Sequence, residues 1–271
     1  MVTLVKLGGS LITDKTRPLA FRQDVMSRLA QEIADTMQTS MPIIIGHGSG
    51  SFGHVEAQKH NTMDGVTTTE QWRGFARVAT RAAELNYHVA SALQAVDVPI
   101  IRFQPSASSI AVDGSLREMA LYNIEKALAN ELVPLVYGDV AFDEQRGGTI
   151  TSTETVFTYL VNNLAHPVTR ILLLGEVDGV YDNVQNIIPQ ITSKNFEQIE
   201  PLLKPSRGVD VTGGMLSKVR DMLTLAIHPP YPTIRILNGL VPDRLKDALL
   251  DRPTIGTTIR HTPTDQPDDE H

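Results

Sequence analysis

The chain has no cysteine, which excludes disulfides, thiolate metal sites and a cysteine nucleophile, and with them a secreted disulfide-stapled scaffold. It has no basic excess: 24 lysines and arginines stand against 31 acidic residues, a formal charge of −7. Nothing in that balance attracts nucleic acid phosphates globally, so an anionic ligand must be drawn in locally. No apolar run approaches the roughly 20 residues of a membrane span, and the run from Met1 to Leu7 meets Gly8-Gly9 too early for a signal-peptide core. The pattern G-x-x-x-x-G-K-[ST] is also missing, so an ATP enzyme with this sequence would not hold its phosphates with a P-loop. Together these absences set the expectation of a cytoplasmic protein in a reducing compartment, with neither nucleic acid nor membrane as partner.

What is present suits a packed enzyme. With 41% hydrophobic and 20% charged residues over 271 positions, the chain can bury a core as one large domain or as two lobes sharing a sheet. Short apolar runs rich in β-branched residues predict strands at 2–7, 42–46, 99–103, 133–137, 169–174 and 233–237. Between them, apolar residues recurring at three or four predict helices at 21–37, 72–96, 116–128, 154–164 and 212–227. Strands alternating with helices imply a parallel α/β sheet. The polar, acidic stretch 262–271 is expected to be disordered.

Two glycine loops follow predicted strands: Gly8-Gly9-Ser10, and His47-Gly48-Ser49-Gly50-Ser51-Phe52-Gly53-His54. Glycine lets backbone N–H groups come close to an anion, and a following helix N-terminus adds a favourable partial charge. A tight strand-to-helix turn accounts equally well for the first loop. It accounts poorly for the second, because a turn does not need so many glycines between two histidines. The second loop also satisfies G-x-G-x-x-G, but the acidic residue and compact βαβ unit of a dinucleotide site do not follow at the required spacing. Lys6 interrupts an otherwise apolar strand, where an ammonium is costly unless an anion meets it.

These residues resemble the amino acid kinase superfamily, and within it the isopentenyl phosphate kinases. The pattern Lys-x-Gly-Gly-Ser-x-x-x-x-Lys is matched from Lys6 to Lys15, and the loop H-G-x-G-S-F-G-H from His47 to His54. Further matches are Gly138-Asp139, Val177-Asp178-Gly179-Val180-Tyr181, and Asp210-Val211-Thr212-Gly213-Gly214-Met215 leading to Lys218. Two departures stand out. Relatives usually carry a Gly-Asp pair, whose aspartate orients the active-site lysines, where this chain reads Thr151-Ser152-Thr153-Glu154; and they commonly read Thr-Asp-Val-Asp where it has Gly175-Glu176-Val177-Asp178.

The resemblance implies an α/β fold, a three-layer αβα sandwich around a mostly parallel central sheet. It implies one domain over 1–261, with an acceptor-binding lobe to about 165 and an ATP-binding lobe from 166. The implied reaction is ATP-dependent phosphorylation of isopentenyl phosphate, with magnesium accompanying the nucleotide, no protein residue assigned to the metal, and a homodimer as the assembly. His54, Lys6, Lys15 and Glu154 take the catalytic places. Gly48, Ser49, Gly53, His54 and Gly138 hold the acceptor. Lys6, Gly8, Gly9, Ser10, Lys15, Ser49, Glu176, Asp178, Gly214 and Lys218 hold ATP. His47 is left to packing within its loop. The helix carrying Phe75, Val78 and Ala82 either packs in the core or lines a slot for an isoprenoid tail. The alternatives are a fosfomycin or other phosphonate kinase, whose loop includes the same histidine, and a nucleotide-binding sensor of the same fold without turnover.

Overall fold

The computed structural model describes residues 1–39, 42–53, 56, 65–203 and 214–262. Its strands in chain order are β1 Val2–Leu7, β2 Ile43–His47, β3 Ile100–Arg102, β4 Ser109–Val112, β5 Ser115–Met119, β6 Val133–Tyr137, β7 Asp139–Asp143, β8 Gly147–Thr151, β9 Val168–Gly175, β10 Gln190–Ile191, β11 Thr233–Asn238 and β12 Thr257–Ile259. Eight form the main sheet in the order β10-β12-β11-β9-β1-β2-β6-β3. Within it only the β11–β12 pair is antiparallel.

Period-two alternation in β1 sends its side chains to two separate cores. Val2 and Leu4 join the cluster under the helices Thr153–Asn163 and Gly214–Ala226, through Val156, Phe157, Leu160, Val219 and Met222. Val5 and Leu7 join the opposite cluster, with Met26, Leu29 and Ile33 of helix Gln23–Ala34 and Leu85, Val89 and Leu93 of helix Thr69–Gln94. A sheet covered by helices on both faces is the three-layer sandwich, and burial on both faces is why its strands read as continuous apolar runs.

A second sheet, β5-β4-β7-β8, was not foreseen from the sequence. Its strands, such as Ser-Leu-Arg-Glu-Met and Gly-Gly-Thr-Ile-Thr, are short and polar, so they lack the apolar signal. The helix expected over 116–128 is corrected in its first part. Ser115–Met119 is a strand paired antiparallel to β4, and the helix runs only over Leu121–Ala129. Leu116, Met119, Ile124 and Leu128 fall near helical spacing by coincidence across that junction, and strand pairing decides the first two. Among the described residues no helix is long and apolar enough to cross a membrane.

Candidate active site

The parallel register brings the strand ends level. Leu7 pairs with His47 on one side and Leu174 on the other, His47 pairs with Tyr137, and Leu174 with Leu237. The segments after β1, β2, β6 and β9 therefore leave the same edge of the sheet side by side, the edge where open α/β sheets bind ligands. A cavity of about 550 Å³ opens there. It is lined by Lys6, Gly8, Gly9, Ser10, Lys15, Gly48, Ser49, Gly53, Gly138, Glu154, Gly214 and Lys218, so it gathers sequence candidates spread over more than 200 positions.

The two glycine loops meet backbone to backbone. A Cβ on Gly9 would fall 2.5 Å from Gly50 N, and one on Gly48 3.0 Å from Gly9 N. Lys6, at 8% exposure, lies on the same face of β1 as Val2 and Leu4, and its ammonium is 2.7 Å from Glu154 Oε1. Glu154 stands in the first turn of helix Thr153–Asn163, whose start is capped by the Ser152 hydroxyl accepting from Thr155 N at 3.0 Å. Burial pushes the Glu154 carboxyl up, but the Lys6 ammonium, with Lys218 adding to it, holds it below the usual range. The carboxylate is therefore ionised between two cations.

Lys15 is carried over the site by a loop that Asp14 braces. Asp14 Oδ1 accepts from Thr16 N at 2.9 Å and from the Thr16 hydroxyl at 2.6 Å, and Oδ2 accepts from Arg17 Nε at 2.9 Å. These bonds, those from Thr16 foremost, lower the Asp14 carboxyl from 3.8 to about 2. Beyond the charged groups the lining turns apolar, from two separate packing clusters: Val78 and Ile150, with Ala82 on the same helix as Val78, and Leu173, Met215, Met222 and Ile236; Val177 adds to the apolar lining.

Not every sequence candidate reaches the lining. Glu176 is paired with Arg22 at 2.8 Å. Asp178 accepts from the Tyr181 hydroxyl and from Asn238 Nδ2, each at 3.3 Å, with Arg244 at 3.6 Å. His54 lies outside the described residues, as does 210–213 of the Asp210 motif. Other residues were not picked out beforehand as site elements. The fully buried Thr13 links the two glycine loops, and Thr153 donates to His47 O at 2.6 Å. Asp139, by contrast, was a candidate through the Gly138-Asp139 match and does line the cavity: it is 1% exposed and accepts from Ser106 N at 3.1 Å, while its Oδ1 meets no partner among the described residues. Burial raises its pKa. Single threonines in polar loops carry no sequence signal of this kind.

His47 is structural. It is fully buried and stacked on Tyr137 at 5.5 Å between ring centroids. Nδ1 is 3.1 Å from Gly48 O and so donates to it, leaving Nε2 to accept from Asn86 Nδ2 at 3.0 Å. Burial, opposed by the Gly48 bond and assisted by Lys6, lowers its pKa from 6.5 to about 4. The folded state thus takes up fewer protons than the unfolded chain between those values, and stability falls as pH falls through that window. From pH 6.5 to pH 5 this one group should cost about 2 kcal/mol. Urea unfolding of wild type and His47→Gln at pH 7 and pH 5 checks it: the wild-type advantage should shrink at the lower pH, and a pH-independent gap would contradict the assignment.

Comparison with known proteins follows the same outline. The model of the amino acid kinase family matches residues 1–238. Isopentenyl phosphate kinase of Methanothermobacter thermautotrophicus is 33% identical over 267 residues, 94% of this chain and 98% of that protein. Isopentenyl phosphate kinase of Methanocaldococcus jannaschii is 32% identical over 232 residues, 82% of this chain and 86% of that protein. A solved isopentenyl phosphate kinase superposes with a TM-score of 0.80 at 29% identity, covering 96% of this chain and all of that one.

Proposed function

The chain belongs to the amino acid kinase family, and on that premise we propose that it transfers the γ-phosphoryl group of ATP to isopentenyl phosphate, giving isopentenyl diphosphate and ADP. The observation that carries this reading is one cavity in which two apposed glycine loops and three lysines adjoin an apolar strip of Val78, Ala82 and Ile150. An acceptor with a charged head and a short hydrocarbon tail has a place for both ends there. The relatives that match over most of their length add the same acceptor.

In this reading a phosphate oxygen of the acceptor attacks the γ-phosphorus, a new P–O bond forms, and the bond to the β-phosphate oxygen breaks, releasing ADP. The acceptor oxygen is already ionised, so no strong base is needed, and catalysis is positioning and charge stabilisation. Lys6, Lys15 and Lys218 offset charge on the transferred group. Glu154 holds the Lys6 ammonium in place, one methylene longer than the aspartate expected from the family pattern. Gly8, Gly9, Ser10, Ser49 and Gly214 offer backbone and hydroxyl groups to ATP, and the apolar strip of Leu173, Val177, Met215 and Met222 suits its base. Glu176 and Asp178, which flank the lining residue Val177 in sequence, are assigned to the ribose side on the family resemblance. Gly48, Ser49, Gly53 and Gly138 face the acceptor phosphate, with His54 supplying its remaining ligand. Magnesium would accompany the nucleotide, offset the charge on its phosphates and need few protein ligands; Asp139, Glu154 and Asp221 are the carboxylates among the lining residues that could hold it or its waters. The division into an acceptor lobe and a nucleotide lobe, the homodimer and the cytoplasmic location belong to this proposal on the family resemblance.

ADP release should be measured with MgATP and, in turn, isopentenyl phosphate, dimethylallyl phosphate, fosfomycin, glutamate and UMP. Isopentenyl phosphate is expected to give the highest kcat/KM, and His54→Ala to remove most of it. A preference for fosfomycin would replace the acceptor, and ATP binding without turnover on any acceptor would favour a sensor.

A further inference from the structure

We propose that the Thr13 hydroxyl is a positioning group for phosphoryl transfer: it joins the nucleotide loop to the acceptor loop and so fixes the distance between donor and acceptor phosphates. The inference rests on the functional reading above. Thr13 is fully buried and does not line the cavity. Its Oγ1 donates to Gly9 O at 2.7 Å, in the first glycine loop, and accepts from Ser51 N at 3.0 Å, in the second. The backbone at Gly50 makes room for this joint by taking φ of +49°, and a Cβ there would sit 2.2 Å from Thr13 Oγ1. Thr13 also bridges Phe21 at the base of the loop that carries Lys15. The hydroxyl thus ties the first glycine loop to the second, 38 positions away, while the backbone of the same residue anchors the loop that carries Lys15.

Only a group that donates and accepts at once can span a carbonyl on one loop and an N–H on the other. Valine matches the shape of threonine and does neither; serine does both. Because neither bond reaches a ligand, losing them should leave each substrate bound and disturb their mutual placement, where about 1 Å of error can cost on the order of 10²-fold in rate.

The test is steady-state kinetics on wild type, Thr13→Val and Thr13→Ser, with amide hydrogen exchange of 8–13 and 48–53. Thr13→Val is expected to lower kcat by roughly 10- to 100-fold, leave both KM values within about threefold, and exchange faster over 48–53; Thr13→Ser should restore kcat and the slow exchange. If the valine variant does not fold, Thr13→Ala is read the same way. Wild-type kcat in the valine variant, a loss confined to KM, a serine variant as impaired as valine, or unchanged exchange would each overturn the proposal. A wild type inactive on isopentenyl phosphate would bring down the functional reading instead, and the exchange data would still decide whether Thr13 joins the loops.

Discussion

Lys6→Met is expected to lower kcat for isopentenyl phosphate by roughly 10²- to 10³-fold, the usual cost of one preorganised transition-state donor, while the protein stays folded. Methionine keeps the volume and the apolar stem of lysine in a strand whose residues are all buried. What is lost is the ammonium 2.7 Å from Glu154. The Glu154 carboxyl, held down chiefly by that ammonium against burial, then shifts up, with Lys218 still beside it. Because the two residues act as a unit, Lys6→Met with Glu154→Gln should cost much less than the sum of the single losses. Steady-state kinetics and a thermal melt on the three variants check this; a loss under about threefold for Lys6→Met would remove Lys6 from the catalytic set.

Gly9→Ala is expected to abolish measurable turnover, a loss of at least about 10²-fold, where Gly175→Ala stays within about threefold. Both glycines line the cavity, but they differ in what a methyl group would meet. At Gly9 it would strike Gly50 N at 2.5 Å and Gly50 Cα at 2.7 Å; at Gly175 there is nothing within 4 Å. The Gly9 collision is backbone against backbone, so no rotamer change relieves it and the two loops must separate. Equal activity of the two variants would show that their contact does not matter for transfer.

The parts of this protein that burial determines could be read from the sequence. β1, β6 and β11 fall where short, mostly apolar runs placed them, because both sheet faces are covered and most positions must be apolar. Helix Thr69–Gln94 begins three residues before its apolar stripe because a capping box, Thr68 with Gln71, sets its start. The small sheet was not legible, since β5 and β8 owe their place to pairing with a neighbour strand, and no local pattern records that. In the site, Lys6 was visible as a charge inside an apolar strand, and the glycine loops by their density. Glu154 was placed among the catalytic residues by the family pattern alone, and the fold brings it from a helix start to 2.7 Å from the Lys6 ammonium. Thr13 and Asn86 needed it more, because a buried hydroxyl or amide is recognised by its partners, and those lie 38 and 39 positions away.

The central claim is that phosphate is the acceptor and ATP the donor in one cavity. The most direct measurement is the mass of the product formed by the purified chain from MgATP and isopentenyl phosphate, with ADP counted in the same sample. The account predicts isopentenyl diphosphate and ADP in equal amounts, with neither formed when either substrate is omitted. ADP without the diphosphate, or no reaction while both substrates bind, would contradict it.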